Sequence, residues 1–325
     1  MRRVSLRAIA ASVAAALAVL AAGCGAKGAH ASHTTSGTTT QKTSTEPLPG
    51  NGRPAVTVGD KNTPEQFVLG ELYEQALAAQ GFSVSINRNI GPTQVAVRAL
   101  RQGSLDMYPE YIDVWNTQVA HDQRSFTSAR AAYGSGQRYA LDHGLELLNP
   151  TPFSDSAAIS VTDYYASKHG LRQIADLGKL GSSLTVGGPP QFKATGLAAL
   201  ERAYGLSAPA FKVVPVGGQY QALAQDTVQA AAVNMTDGDL ATGNYRVLRD
   251  PEHALGWGNV TPVVPQKVLE AEGPAFAATI NAVTAQLTLP VMRQLNEQVE
   301  QNVDPATVAT QFLETHGLLQ PGQGS

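Results

Sequence analysis

The chain is predicted to be an α/β protein of two lobes with a ligand cleft between them, and three observations lead there. Strand and helix patterns alternate from Ala55 to Met107. The alternation resumes from Ala157 to Val233, and the tail from Ala275 onward reads as helices alone. Two α/β stretches followed by returning helices suit two lobes with cores of their own in a chain of 325 residues.

The elements follow in order. Ala55-Val56-Thr57-Val58-Gly59 is a β-branched run that reads as a strand. Thr63-Pro64-Glu65-Gln66 supplies an N-cap, a proline at the first helical position and a glutamine at the capping-box position. Val68, Leu72, Ala76 and Leu77 keep helical spacing until Gly81 ends it. Phe82, Val84 and Ile86 alternate as a second strand, Val95 to Leu100 reads as a helix closed by Gly103, and Leu105 and Met107 begin a third strand. Strand, helix, strand, helix, strand within so short a stretch predicts a parallel sheet. Farther on, strands are expected over 157–162, 184–187, 211–216, 228–233 and 260–264. Helical pieces are expected over 165–169, 197–204 and 219–224, and then over 275–287, 291–301 and 305–317.

The N-terminus has a different character. Arg2, Arg3 and Arg7 precede an apolar run from Ala8 to Ala22, and Ala21-Ala22-Gly23 lead into Cys24, the single cysteine of the chain. That pattern is a secretory signal peptide over 1–23 with lipid attachment at Cys24. The Ser/Thr-rich segment over 24–52 cannot bury apolar surface and is expected to be a disordered tether. The body then divides into lobe 1 over 53–155, lobe 2 over 156–236 and a return to lobe 1 over 237–325. The protein is expected to be exported and lipid-anchored on the outer face of the cell membrane, with a monomeric body.

Composition excludes several classes. A net charge of −3 leaves no basic footprint for nucleic acid. With one cysteine there is no disulfide and no cysteine-based metal site, and His121, His143, His169, His253 and His316 lack metal-ligand spacing. A Gly-x-Ser-x-Gly elbow does not occur; Gly134-Ser135-Gly136 has the wrong spacing. Glu110 and Asp113 could serve acid–base chemistry, but nothing supplies a nucleophile. An enzyme is not expected, nor a cofactor or metal.

In open α/β sheets ligands bind beyond the carboxyl ends of strands, so those residues are the candidates. Lys61 and Gln66 flank the N-terminus of the first helix, where free N–H groups suit an oxygen acceptor; ordinary capping beside a solvated lysine fits equally. Tyr108-Pro109-Glu110-Tyr111-Ile112-Asp113-Val114-Trp115 gathers aromatics and carboxylates at one strand end. Tyr108 and Trp115 read as core and Tyr111 as a cleft residue whose face attracts a cation. Phe153 and Asp155 lie in one expected crossing between lobes. Asn234, Thr236 and Asp237 lie in the other, though turn chemistry accounts for both stretches too. Trp257 is either a cleft aromatic or a cover for the core.

The stretches Val58-Gly59-Asp60-Lys61-Asn62-Thr63-Pro64-Glu65-Gln66 and Gly103-Ser104-Leu105-Asp106-Met107-Tyr108-Pro109-Glu110-Tyr111 resemble the substrate-binding proteins of ABC importers for glycine betaine, choline and related osmoprotectants. Pro152-Phe153-Ser154-Asp155-Ser156, Thr236-Asp237-Gly238 and Asn259-Val260-Thr261-Pro262-Val263-Val264 follow in the same order, so the likeness runs from about Ala55 to Leu318. It implies a type II periplasmic-binding-protein fold that closes on a quaternary amine and presents it to a permease and its ATPase. It places Tyr111 on a position of the family's aromatic cage and Gln66 on a polar contact. Departures accompany it: Val114 stands where many members have Thr or Asp, and Ala157, Asn234 and Gly258 stand opposite other cage tyrosines. Phe153, Trp257, Trp115 and Tyr220 are the candidates to replace them. With an incomplete cage the same fold could take a different polar, hydroxylated or aromatic molecule.

Overall fold

The computed structural model describes residues 47–206 and 210–319; the expected signal peptide, Cys24 and the expected tether as far as residue 46 lie outside them. In chain order the first strands and helices are β1 (Ala55–Gly59), α1 (Pro64–Ala79), β2 (Ser83–Asn87), α2 (Thr93–Gln102), β3 (Tyr108–Tyr111) and β4 (Leu145–Leu147). Then come β5 (Ala157–Thr162), β6 (Thr185–Gly188), β7 (Ala210–Val213), β8 (Ala230–Asn234), β9 (Tyr245–Val247) and β10 (Val260–Pro265). Helices Pro274–Gln286, Leu289–Glu300 and Pro305–Thr315 close the chain.

Thr63 starts α1 as the sequence predicts: its backbone is extended and its Oγ1 accepts from the Gln66 N–H at 3.4 Å. The helix buries Val68, Leu69, Leu72, Tyr73 and Leu77 between β1 and the three C-terminal helices, all of which touch it. Being covered on several sides, it carries apolar residues all round. β1 pairs in parallel with β2, and Val58 makes a parallel bridge to Met107. β10 runs antiparallel between β3 and β4, with Val260 opposite Tyr111 and Val263 opposite both Tyr108 and Leu147. The other face of this half packs Leu100, Tyr108, Trp115 and Leu147 under α2 and a helix over Ala129–Asp142. Sequence reading left that helix and β4 unassigned, because its Gly- and Ala-rich stretch shows little apolar spacing.

The second half is a five-stranded sheet in the order β7-β6-β8-β5-β9, parallel between β6 and its neighbours and antiparallel on both sides of β5. Ile159, Leu171, Ile174 and Val186 fill one face, and Tyr220, Leu223, Val228 and Val233 the other.

Two boundaries differ from expectation. The tether does not extend to 52: Gly50 donates its N–H to Gln80 O at 2.9 Å, and Arg53 Nη1 reaches Ala271 O at 3.0 Å. Nor does the chain return to the first half at 237. The turn Gly238–Thr242 packs on the Leu289–Glu300 helix, and β9 then rejoins the second sheet beside β5. The return comes near Trp257, because β9 needs a hydrogen-bonding partner that only β5 offers. There the outgoing and returning crossings lie side by side: Asp155 donates its N–H to Gly258 O at 2.9 Å, and Gly258 donates its own to Ser154 Oγ at 2.9 Å.

Candidate functional site

The end of β1 and the start of α1 set out Lys61, Glu65 and Gln66, and the end of β3 brings Tyr111 beside them. The Tyr111 hydroxyl donates to Glu65 Oε1 at 2.9 Å. Asn296 Nδ2, from the Leu289–Glu300 helix, donates to Glu65 Oε2 and to Thr236 O, both at 2.9 Å. Thr236 in turn donates to Asp155 Oδ1 from its hydroxyl at 2.6 Å and from its N–H at 3.3 Å. One hydrogen-bonded chain therefore joins the first helix, the β3 end, the outgoing crossing, the segment after β8 and a C-terminal helix.

Burial dominates the electrostatics here. It raises the Glu65 carboxyl above its ordinary value, although Asn296 and Tyr111 hydrogen-bond to it. Asp155 is pushed well above the usual range by burial and then by the Glu65 charge. The Tyr111 hydroxyl is raised by burial, then by Glu65 and Asp155. Two carboxyls in such a setting hold a proton more readily than separate acids would, and a cation placed between them would favour its release.

A second polar group supports the aromatic ring. Lys61 ion-pairs with the fully buried Glu110, and its Nζ stands 5.0 Å from the centroid of the Tyr111 ring. Glu110 also accepts from Thr93 Oγ1 at 2.8 Å, the Tyr108 hydroxyl at 3.1 Å and the Tyr111 N–H at 2.8 Å. This fixes the β3 end and turns Lys61 from a solvated lysine into a held one. Gln66 is fully buried, with Oε1 accepting from the Lys61 N–H at 3.3 Å and Nε2 lacking a well-formed hydrogen bond. Asp113, two residues past Tyr111, is raised to about 6 by burial, with a further push from Glu110.

Residues 54–315 match the substrate-binding domain of the ABC-type glycine betaine transport system. The chain belongs to this family. It is 28% identical over 280 residues to a glycine-betaine-binding protein of Pseudomonas aeruginosa, covering 82% of this chain and 89% of that one. It is 29% identical over 286 residues to the glycine betaine-binding protein YehZ of Escherichia coli, covering 83% and 93%. The apo structure of YehZ superposes with a TM-score of 0.71 at 28% identity over 81% of this chain and 99% of that one. A glycine betaine/carnitine/choline ABC transporter structure gives a TM-score of 0.75 at 20% identity, covering 82% and 100%. The fold is thus that of type II periplasmic binding proteins, and the family is one of solute-binding transport proteins.

Against this family background the candidate residues separate. Gln66, Tyr111, Asp155 and Thr236 come together as described, with Lys61 over the ring. Asp237 lies next to them in the chain, accepting from the Tyr220 hydroxyl at 2.8 Å and the Asn234 N–H at 3.1 Å. Asn234 itself is exposed at the end of β8. Phe153 is a correction: it is buried in the core of the first half, and its carbonyl accepts from Thr151 and Asn259. Trp257 also leaves the cluster. Its Nε1 donates to Phe126 O at 2.9 Å and its ring stacks on His253 with centroids 4.1 Å apart.

Of the expected replacements beside Tyr111, Phe153 and Trp115 are taken up by the core. Trp115 is buried in core, donating to Gly136 O at 3.1 Å, and Tyr220 packs against Tyr245. At Gly258 the backbone leaves no room for any side chain: a Cβ there would lie 2.6 Å from the Asp155 carbonyl carbon. Sequence reasoning missed Glu65 and Asn296. Glu65 stood in the capping stretch, where an acid in the first turn reads as a complement to the helix dipole. Asn296 lies 231 residues from Glu65 and carried no local signal.

Proposed function

We propose that the chain is the extracytoplasmic solute-binding component of an ABC importer, and that it captures a quaternary amine of the glycine betaine or choline type. Lipid at Cys24 would tether it to the outer face of the membrane, and the closed body, as a monomer, would deliver its ligand to a permease and ATPase. The observation that carries this reading is Tyr111 with Glu65 and Asp155. An aromatic ring whose hydroxyl is anchored to one buried carboxylate, with a second nearby, suits a compact cation that cannot itself donate hydrogen bonds. Lys61 already stands over the ring, so the remaining face is the one offered to a ligand. Family membership and the names of the relatives point the same way.

A second reading has its own support. With Gly258 closed to side chains and Phe153 and Trp115 in core, Tyr111 has few aromatic companions, which favours a different polar, hydroxylated or aromatic solute. Titration calorimetry with glycine betaine, choline, carnitine, proline betaine, polyols and phenolics separates the two. Binding of any quaternary amine, weakened about tenfold or more by Tyr111→Ala, upholds the first reading. Heat from polyols or phenolics alone upholds the second. Turnover of an ester, glycoside or peptide by the purified chain would overturn both.

A further inference from the structure

Asp155 faces Thr236 and the Tyr111 cluster, whereas Ser154 and Ser156 on either side of it, with Ala157 and Ala158 beyond, line a cavity of about 420 Å³. Lys61, Glu65, Gln66 and Tyr111 take no part in its walls. It draws on both halves and both crossings. Leu289 and Arg293 come from the first half, Ile174 and Arg249 from the second, and His253 and Trp257 from the return. The volume falls in the range of small-molecule sites, roughly 300–1,000 Å³.

Two arginines line this cavity beside one carboxylate. Arg293 Nε donates to Met235 O at 2.7 Å, and the rest of its guanidinium has no hydrogen-bond or ion-pair partner among the described residues. Arg249 is exposed, and its guanidinium has none either among those residues. Asp250 lines the same space but is committed elsewhere, accepting from the Tyr204 hydroxyl and from the N–H groups of Ala254 and Leu255. Asp237 offsets Arg293 in part from outside the cavity wall. Ser154 Oγ accepts from Gly258 N–H, leaving its hydroxyl hydrogen to donate. Guanidinium forks and serine hydroxyls suit a carboxylate, while the stacked Trp257–His253 pair and Leu289 suit an apolar ring.

We infer that this cavity is a second ligand site, for a small monocarboxylate with an apolar, ring-sized body. Its occupant is distinct from the solute at Tyr111, and the site stands whether or not that solute is a quaternary amine. Calorimetry on the full chain tests it with benzoate as probe and benzyl alcohol as the neutral counterpart. Benzoate is expected to bind one site, about tenfold or more tighter than benzyl alcohol, and to do so equally in Tyr111→Ala. Arg249→Gln is expected to weaken benzoate by about fivefold or more at unchanged melting temperature. Because Arg293 also holds Met235, Ser156→Leu, which narrows the cavity and replaces neither arginine, is the second variant and is expected to abolish benzoate binding. The inference is overturned if millimolar benzoate gives no heat, if benzyl alcohol binds as well, if Tyr111→Ala abolishes the binding, or if both cavity variants bind benzoate like the parent.

Discussion

Tyr111 carries the Lys61 ammonium over its ring and ties its hydroxyl to Glu65, so two of its properties can be separated by substitution. Tyr111→Phe keeps the ring and removes a donor from a buried carboxylate. It is expected to lower stability by about 1–2 kcal/mol, read by denaturant melts, while leaving the affinity for choline or glycine betaine within about threefold. Tyr111→Ala removes both and is expected to cost about tenfold or more in affinity as well as stability. If Phe and Ala lowered affinity equally, the ring would have no role in holding the cation. Tyr111 was legible from sequence because an aromatic-rich strand end is a local feature. Glu65 was visible but ambiguous, since an acid in the first helical turn has an ordinary explanation. Phe153 and Trp257 misled for the opposite reason: a sequence position near a crossing does not say which way a side chain turns.

At the scale of elements, close backbone approaches constrain the paired crossings and the turn after β8. Gly258 sits against the Asp155 backbone, and Gly238 sits against the Leu289–Glu300 helix, where a Cβ would lie 2.6 Å from Glu297 N. Gly258→Ala is expected to destabilise the chain by about 1–3 kcal/mol through this overpacking, with a lower midpoint in thermal melts. A variant as stable as the parent would mean that the crossings slide apart freely. Most strands and helices could be read from the sequence, because strand alternation and the Thr63 cap are written in neighbouring residues. β9 and the Ala129–Asp142 helix could not. A three-residue edge strand exists only because β5 is there to pair with it, and a helix rich in small residues shows no stripe until its neighbours are in place.

Over the whole molecule, buried carboxyls link stability to pH. Asp113, raised to about 6, and Glu65, Asp155 and Asp237, raised by burial, bind protons more readily in the folded chain than in the unfolded one. Their ionisation therefore opposes folding. Stability is expected to increase as pH falls from about 7 toward about 4, and to gain nothing further once the unfolded carboxyls are protonated too. Asp176, held at about 2 by its hydrogen bond from Lys179, works in the other direction and only at lower pH. A melting temperature that falls steadily from pH 7 to pH 5 would contradict this balance. Binding of a permanent cation has the reverse trend, strengthening as pH rises, because ionised Glu65 and Asp155 attract it better. A solute held between two lobes should also draw them together. Small-angle scattering is expected to show a smaller radius of gyration at saturating ligand, and an unchanged curve with bound ligand would deny closure.

The sequence by itself determined the α/β class, the order of most elements and the family, because caps, alternation and short motifs depend on neighbouring residues. It also marked Lys61, Gln66, Tyr111, Asp155 and Thr236 as worth inspecting. Only the tertiary structure decided which of them meet. Glu65 is held by Asn296 and Tyr111, which are distant in the chain, and Gly258 is closed to side chains by a backbone from the other crossing. Contacts of this kind arise when remote segments are packed to near-crystalline density, and no local pattern of residues encodes them.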